Sequence, residues 1–298
     1  MELKGMIPAL TTPFDVQGAV ALDRLRENVA SYNRTGLSGY LAVGSTGESV
    51  LLSREEFDKV LATVREMAAP GRILIAGAGV DSTAETISRI DVAASLGYHF
   101  ALVCTPYFFK PQMSPEALAE HFRRVADAAR IPILLYSIPQ LTGVAIDADL
   151  AGRLAEHRNI AGMKDSSGNV ELIGAILASV PESFHLMTGA ATTVYPSMQL
   201  GAKGAILALA DFLPEHCVAL YDAITAHDPR ASLEMQRRVL RASNRIVGAM
   251  GIAGVKYAMD CRGYVGGPVR RPLLPLDEVQ KREVKSLIAA LVPAGVTA

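Results

Sequence analysis

Ile133-Leu134-Leu135-Tyr136 and Ile160-Ala161-Gly162-Met163-Lys164 are short, almost unbroken apolar runs, each ending in one polar side chain. Continuous rather than alternating apolar residues mark strands buried on both faces, as in a parallel sheet. The same unit recurs along the chain. Candidate strands fall at Met6–Leu10, Gly39–Val43, Ile73–Ala76, Phe100–Cys104, Ile133–Tyr136, Ile160–Lys164, His185–Thr188 and Gly204–Leu207, eight in all. Between them lie helical stretches with legible starts. Ser53-Arg54-Glu55-Glu56 and Ser82-Thr83-Ala84-Glu85 read as capping boxes, and Ser114-Pro115 places a cap before a proline at the first helical position. The helix that follows puts Leu118, Phe122, Val125, Ala126 and Ala129 on one stripe, with Glu120 four residues before Arg124.

Eight strands alternating with helices predict an α/β fold, a (β/α)₈ TIM barrel. A dinucleotide-binding sheet would want G-x-G-x-x-G after its first strand. The nearest match, Gly77-Ala78-Gly79, follows the third strand and lacks the third glycine. Beyond about residue 228 the β signal stops, and Pro229–Met250 and Leu276–Leu291 read as helices. Residues 1–228 are therefore assigned to the barrel and 229–298 to a C-terminal helical extension of the same domain.

The balance of 29 basic and 30 acidic residues leaves no basic stripe for phosphates, so nucleic acid is not an expected partner. The first residues lack the pattern of a secretory signal, and apolar runs such as Gly204–Ala210 are far shorter than a membrane span. Cys104, Cys217 and Cys261 are scattered and odd in number, which suits a reducing cytoplasm and offers neither a disulfide framework nor a zinc spacing. No histidine pair has metal-site spacing, and no metal is expected.

Strand C-termini and the loops after them build barrel active sites. Three features sit there. Lys164, sharing a side with Gly162, is placed to face a desolvated interior, which favours the neutral amine that attacks a ketone; the plainer reading is a lysine that ends a strand and reaches solvent. Tyr136 offers a phenol for proton transfer, or else a core tyrosine bonded to backbone. Gly44-Ser45-Thr46-Gly47-Glu48 offers two hydroxyls between two glycines, a nest for a small carboxylate or an ordinary βα turn. Together they supply an anion cradle, a proton shuttle and a nucleophilic amine.

At these residues the chain resembles the dihydrodipicolinate synthase/N-acetylneuraminate lyase family of pyruvate-dependent class I aldolases. The resemblance runs from Pro8-Ala9-Leu10-Thr11-Thr12-Pro13-Phe14 through Gly44–Glu48, Thr105-Pro106-Tyr107, Tyr136-Ser137-Ile138-Pro139 and Gly162-Met163-Lys164-Asp165 to Gly266-Gly267-Pro268. It implies a Schiff-base lyase with no cofactor, in which Lys164 forms the imine with pyruvate or a related 2-oxo acid and Tyr136 transfers protons. It further implies that Ser45 and Thr46, with Gly47, hold the carboxylate, Ser45 also relaying protons to Tyr136, while Gly189 and Ile206 line the pocket. A small aldehyde is the implied second partner, and a homo-oligomer, dimer or tetramer, the implied assembly.

Two positions depart from the family pattern. Leu141 stands where the synthases carry an arginine for the second substrate's carboxylate, and a leucine cannot form that bidentate pair. Phe108 stands where a tyrosine is donated across a subunit interface into the proton relay; Tyr107 is adjacent but points differently. Local matches at Tyr136–Pro139, Gly162–Asn169, Gly251–Lys256 and Gly263–Pro268 resemble the 4-hydroxy-2-oxoglutarate aldolase branch, whose products are pyruvate and glyoxylate. The alternatives are a dihydrodipicolinate synthase using aspartate semialdehyde, a dehydratase of oxo-sugar acids and, in another class, a catalytically impaired binding barrel.

Overall fold

A computed structural model describes residues 2–292. Its strands are β1 (Gly5–Pro8), β2 (Gly39–Ala42), β3 (Ile73–Gly77), β4 (Phe100–Cys104), β5 (Ile133–Ser137), β6 (Ile160–Asp165), β7 (His185–Thr188) and β8 (Gly204–Leu207). Hydrogen bonding orders them β1-β8-β7-β6-β5-β4-β3-β2, and a parallel bridge from Ala9 to Leu41 joins the chain just after β1 to β2. The fold is the expected (β/α)₈ barrel with a C-terminal helix. Each strand lies within about two residues of its sequence-based limits.

The described residues form two compact units, one of residues 2–5 and 73–206, the other of residues 6–72 and 207–292. In the first, the two faces of the strands are chemically distinct. Ala101 and Val103 of β4, Ile133 and Leu135 of β5, Ile160 and Met163 of β6 and Leu186 of β7 belong to a core that includes Leu118, Phe122, Val125 and Ala126 of helix Pro115–Ala128. Burying each of the larger side chains contributes roughly 1.5–3 kcal/mol. Strand alternation turns Leu102, Leu134, Tyr136, Gly162, Lys164 and Met187 to the opposite face.

The helix starts follow the sequence. Ser53 and Glu56 close a capping box at helix Arg54–Met67, and Ser114 accepts from the Ala117 N–H before Pro115. Ser82 accepts from the Glu85 N–H, whereas the Glu85 carboxylate holds Arg89 Nε at 3.0 Å.

In the second unit the tail departs from expectation. Helix Pro229–Ala242 passes into a π-helical segment, Ser243–Ala249, and a further helix, Met250–Cys261, precedes helix Glu278–Leu291. The cause is glycine. Gly251 sits at φ 59°, and a Cβ on Gly254 would come within 2.6 Å of the Ile246 carbonyl oxygen. A left-handed residue and a close backbone approach are both incompatible with one regular helix. The tail is tied to the N-terminal helix Leu22–Tyr32: Asn28 makes two hydrogen bonds to the Val265 backbone, and Tyr32 stacks on Tyr264 at 4.9 Å.

His121, buried on helix Pro115–Ala128, bonds Thr83 Oγ1 through Nδ1 at 2.9 Å, while its Nε2 is buried without a partner. Burial lowers its pKa from 6.5 to about 4. Protonation therefore favours the unfolded chain: this contribution is complete above pH 6.5 and is lost as pH falls through about 4. His121→Gln is expected to flatten the fall in chemical-denaturation stability between those pH values by up to about 3 kcal/mol. An unchanged slope would contradict the assignment.

Candidate active site

The site in the first unit is set by strand register. Tyr136 of β5 pairs with Lys164 of β6, and Lys164 pairs with Met187 of β7. Paired positions on neighbouring strands point the same way, so the phenol and the amine meet. Lys164 Nζ donates to Tyr136 Oη at 3.4 Å and lies 4.4 Å from the ring centroid; both side chains are buried. The distance is long for a hydrogen bond, leaving an amine beside a phenol with an aromatic face below it.

This register depends on a bulge. Ile133 pairs with Ile160, but Leu134 pairs with Gly162, so Ala161 is an extra residue on β6. An unbroken register from Ile133 and Ile160 would set Tyr136 opposite Met163, whose side chain belongs to the core on the other face.

The glycines contribute through close approach. Gly162 shares the lysine's side of the strand, and a Cβ there would strike the His185 backbone of β7. Gly189 is the residue that makes space at the lysine. A Cβ there would overlap Ser166 Oγ and lie 2.9 Å from Lys164 Cε. Ser166 was not singled out from sequence, although it lies two residues past the lysine. Its turn is held by Gln140 Nε2, which donates to the Ser166 and Ser167 carbonyls at 2.8 and 3.1 Å. Asp165, turned to the other face, accepts from Ser167 N–H and Oγ–H, and burial raises its pKa. Ile206 is buried on β8; the Thr188–Ala205 pairing, continued by one residue, sets it level with Gly189.

Tyr107 and Phe108 lie in the loop after β4, and both backbone N–H groups donate to Asp81 Oδ1 at 2.8 Å. Phe108 is 74% exposed and meets Phe109 edge-on at 5.1 Å. Burial first, then Asp81, raises the pKa of Tyr107. Leu141, in the short helix Pro139–Thr142, is also exposed.

In the second unit Ser45, Thr46 and Gly47 form one 3₁₀ turn, Ser45–Gly47. The N–H groups of Gly47, Glu48 and Ser49 are directed to the Gly44, Ser45 and Gly44 carbonyls, because 3₁₀ geometry folds successive donors back onto the turn. Gly47 O accepts from Thr12 Oγ1 at 2.7 Å.

Residues 2–291 match the model of the dihydrodipicolinate synthetase family. The chain belongs to that family. Relatives include a 4-hydroxy-tetrahydrodipicolinate synthase from Geotalea uraniireducens, 35% identical over 96% of this chain and 97% of the relative. One of the same name from Exiguobacterium is 33% identical over 95% of this chain and 96% of the relative. A chloride-inhibited dihydrodipicolinate synthase from Acinetobacter baumannii, solved with pyruvate, superposes with a TM-score of 0.93 at 30% identity, covering 98% of this chain and 100% of that one. The chain is accordingly a lyase of the class I aldolase type. No described helix is long and apolar enough to cross a membrane.

Gly189→Ala is expected to slow imine formation at Lys164 about tenfold or more while the fold persists, since the new methyl displaces the lysine stem. Borohydride reduction with a small 2-oxo acid, followed by peptide mass analysis, reads this directly. An unaltered rate would show that Gly189 does not position the amine.

Proposed function

We propose that this protein condenses pyruvate, held as an imine on Lys164, with a small aldehyde bearing its own carboxylate, aspartate semialdehyde being the first candidate. The observation that carries the imine chemistry is the buried Lys164 amine beside the Tyr136 hydroxyl. The names of the relatives at 33–35% identity favour aspartate semialdehyde over glyoxylate.

In the proposed reaction Lys164 Nζ attacks the pyruvate ketone. Tyr136 delivers the proton with which the carbinolamine loses water. The protonated imine draws electrons from C3, whose proton passes to Tyr136, and the resulting enamine attacks the aldehyde carbon to form the new C–C bond while the aldehyde C=O π pair becomes a hydroxyl by taking that proton from Tyr136. Hydrolysis of the imine then returns the free lysine. Ser45 and Thr46 are assigned the pyruvate carboxylate on the chemistry of their hydroxyls and the family motif, and Gly189 and Ile206 the walls around pyruvate.

Leu141 favours a second reading, cleavage of 4-hydroxy-2-oxoglutarate to pyruvate and glyoxylate, because it removes a guanidinium from the exposed turn after β5. A different cation lies across that turn: a Cβ on Gly143 would sit 3.2 Å from Lys110 Nζ. An ammonium can hold a carboxylate as a point charge, without the bidentate geometry of arginine, and this keeps the synthase reading first.

Borohydride reduction with pyruvate is expected to leave a reduced pyruvyl adduct on Lys164 and none on a folded Lys164→Ala variant. A folded wild-type protein without the adduct would refute the imine. Turnover of pyruvate with aspartate semialdehyde and with glyoxylate, compared side by side, ranks the two readings.

A further inference from the structure

Among the described residues Lys164 is one of two buried lysines; the other is Lys256, on helix Met250–Cys261 of the second unit. Its ammonium lies 2.5 Å from Glu48 Oε1, with both side chains at most 1% exposed. It also donates to the Pro268 carbonyl at 2.8 Å and lies 4.4 Å from the Phe14 ring centroid. Glu48 directly follows the Ser45–Gly47 turn and is itself left-handed, at φ 56°. That conformation is costly for a residue with a Cβ and persists only where surroundings enforce it.

The enforcement is visible. The other carboxylate oxygen of Glu48 accepts the Arg270 N–H at 2.8 Å. The Arg270 guanidinium then spans to Glu56 through two bonds of 2.7 Å and to the Leu51 carbonyl at 2.7 Å. Its carbon sits 4.3 Å from the centroid of the Phe14 ring. Glu56 is the partner of Ser53 in the capping box, so one network grips the residues on the C-terminal side of the turn, while Thr12 grips Gly47.

We infer that the buried Glu48–Lys256 pair is a positioning device that holds the Ser45–Thr46 turn in the conformation that binds the substrate carboxylate. The inference rests on the assignment of that carboxylate to Ser45 and Thr46 made above. A buried ion pair is a poor source of net stability, because desolvating two charges offsets their attraction; fixing one geometry is the use such pairs serve best. Here the geometry fixed is a left-handed residue one position after Thr46-Gly47. Lys256 acts through Glu48, and its three neighbours leave it ill-suited as a second imine-forming amine.

Glu48→Gln alone strands a buried ammonium and is expected to fold poorly, so the test uses the double variant Glu48→Gln/Lys256→Met, which removes both charges and keeps both lengths. Two quantities are measured on the full chain: the pyruvate concentration giving half-maximal borohydride trapping at Lys164, and amide hydrogen exchange across residues 44–52. The expected result is a half-saturating concentration raised about tenfold or more, near-normal trapping at saturating pyruvate, and faster exchange in that segment. Unchanged half-saturation in a folded double variant overturns the inference. If wild-type protein is not trapped by pyruvate at all, the proposed reaction fails, and exchange decides alone: faster exchange at 44–52 upholds the positioning role and equal exchange overturns it.

Discussion

One extra residue in β6 governs where the chemistry can happen. Strand side chains alternate, so a register slip of one residue exchanges the two faces of a strand. Ile160 and Met163 both belong to the core, three residues apart, and only the inserted Ala161 allows that parity. Past it, Lys164 stands opposite Tyr136 and Asp165 opposite Ser137. The consequences follow in order. Lys164 and Tyr136 share a face, Asp165 goes to the other side to tie down Ser167, and Gly189 becomes the position where a side chain cannot fit. A bulge beside a functional side chain is a recurrent way to re-aim it.

How much of this the sequence discloses depends on range. Strands were legible because burial on both faces leaves unbroken apolar runs, and helix starts because Ser53, Ser82 and Ser114 satisfy donors only three residues away. Lys164 and Tyr136 were legible because each closes such a run. The bulge was not: Ala161 is as apolar as its neighbours, and its effect appears only against β5. The π-helical segment was hidden too, since residues 229–250 carry a helical pattern and the glycines that break it act through Ile246 and backbone angles. The Gly44–Glu48 turn is legible from its glycines and hydroxyls, but which of its N–H groups close within it is a property of its geometry and not of its composition. Glu48 and Lys256 lie 208 residues apart, and nothing local marks them as partners.

The two buried lysines show how surroundings, not residue type, assign a role. Lys256 has a carboxylate at 2.5 Å, a carbonyl at 2.8 Å and an aromatic face, all of which favour the ammonium. Burial first, and then the Arg270 charge, pull its pKa down, with Glu48 opposing, and the net direction is downward. Even so, proton loss there would leave the Glu48 charge buried without its counterion, a cost that ties the proton to the pair. Lys164 is also buried, yet the polar atom that its amine meets is the Tyr136 hydroxyl at 3.4 Å. An amine that must surrender a proton, attack a ketone and later be released needs a partner able to give and take protons without trapping it as an ion pair. A phenol meets that requirement and a carboxylate at contact distance does not. The same side chain thus serves as a fixed counterion in one unit and suits the proposed nucleophile in the other, and the difference lies in what stands within a few ångströms of Nζ.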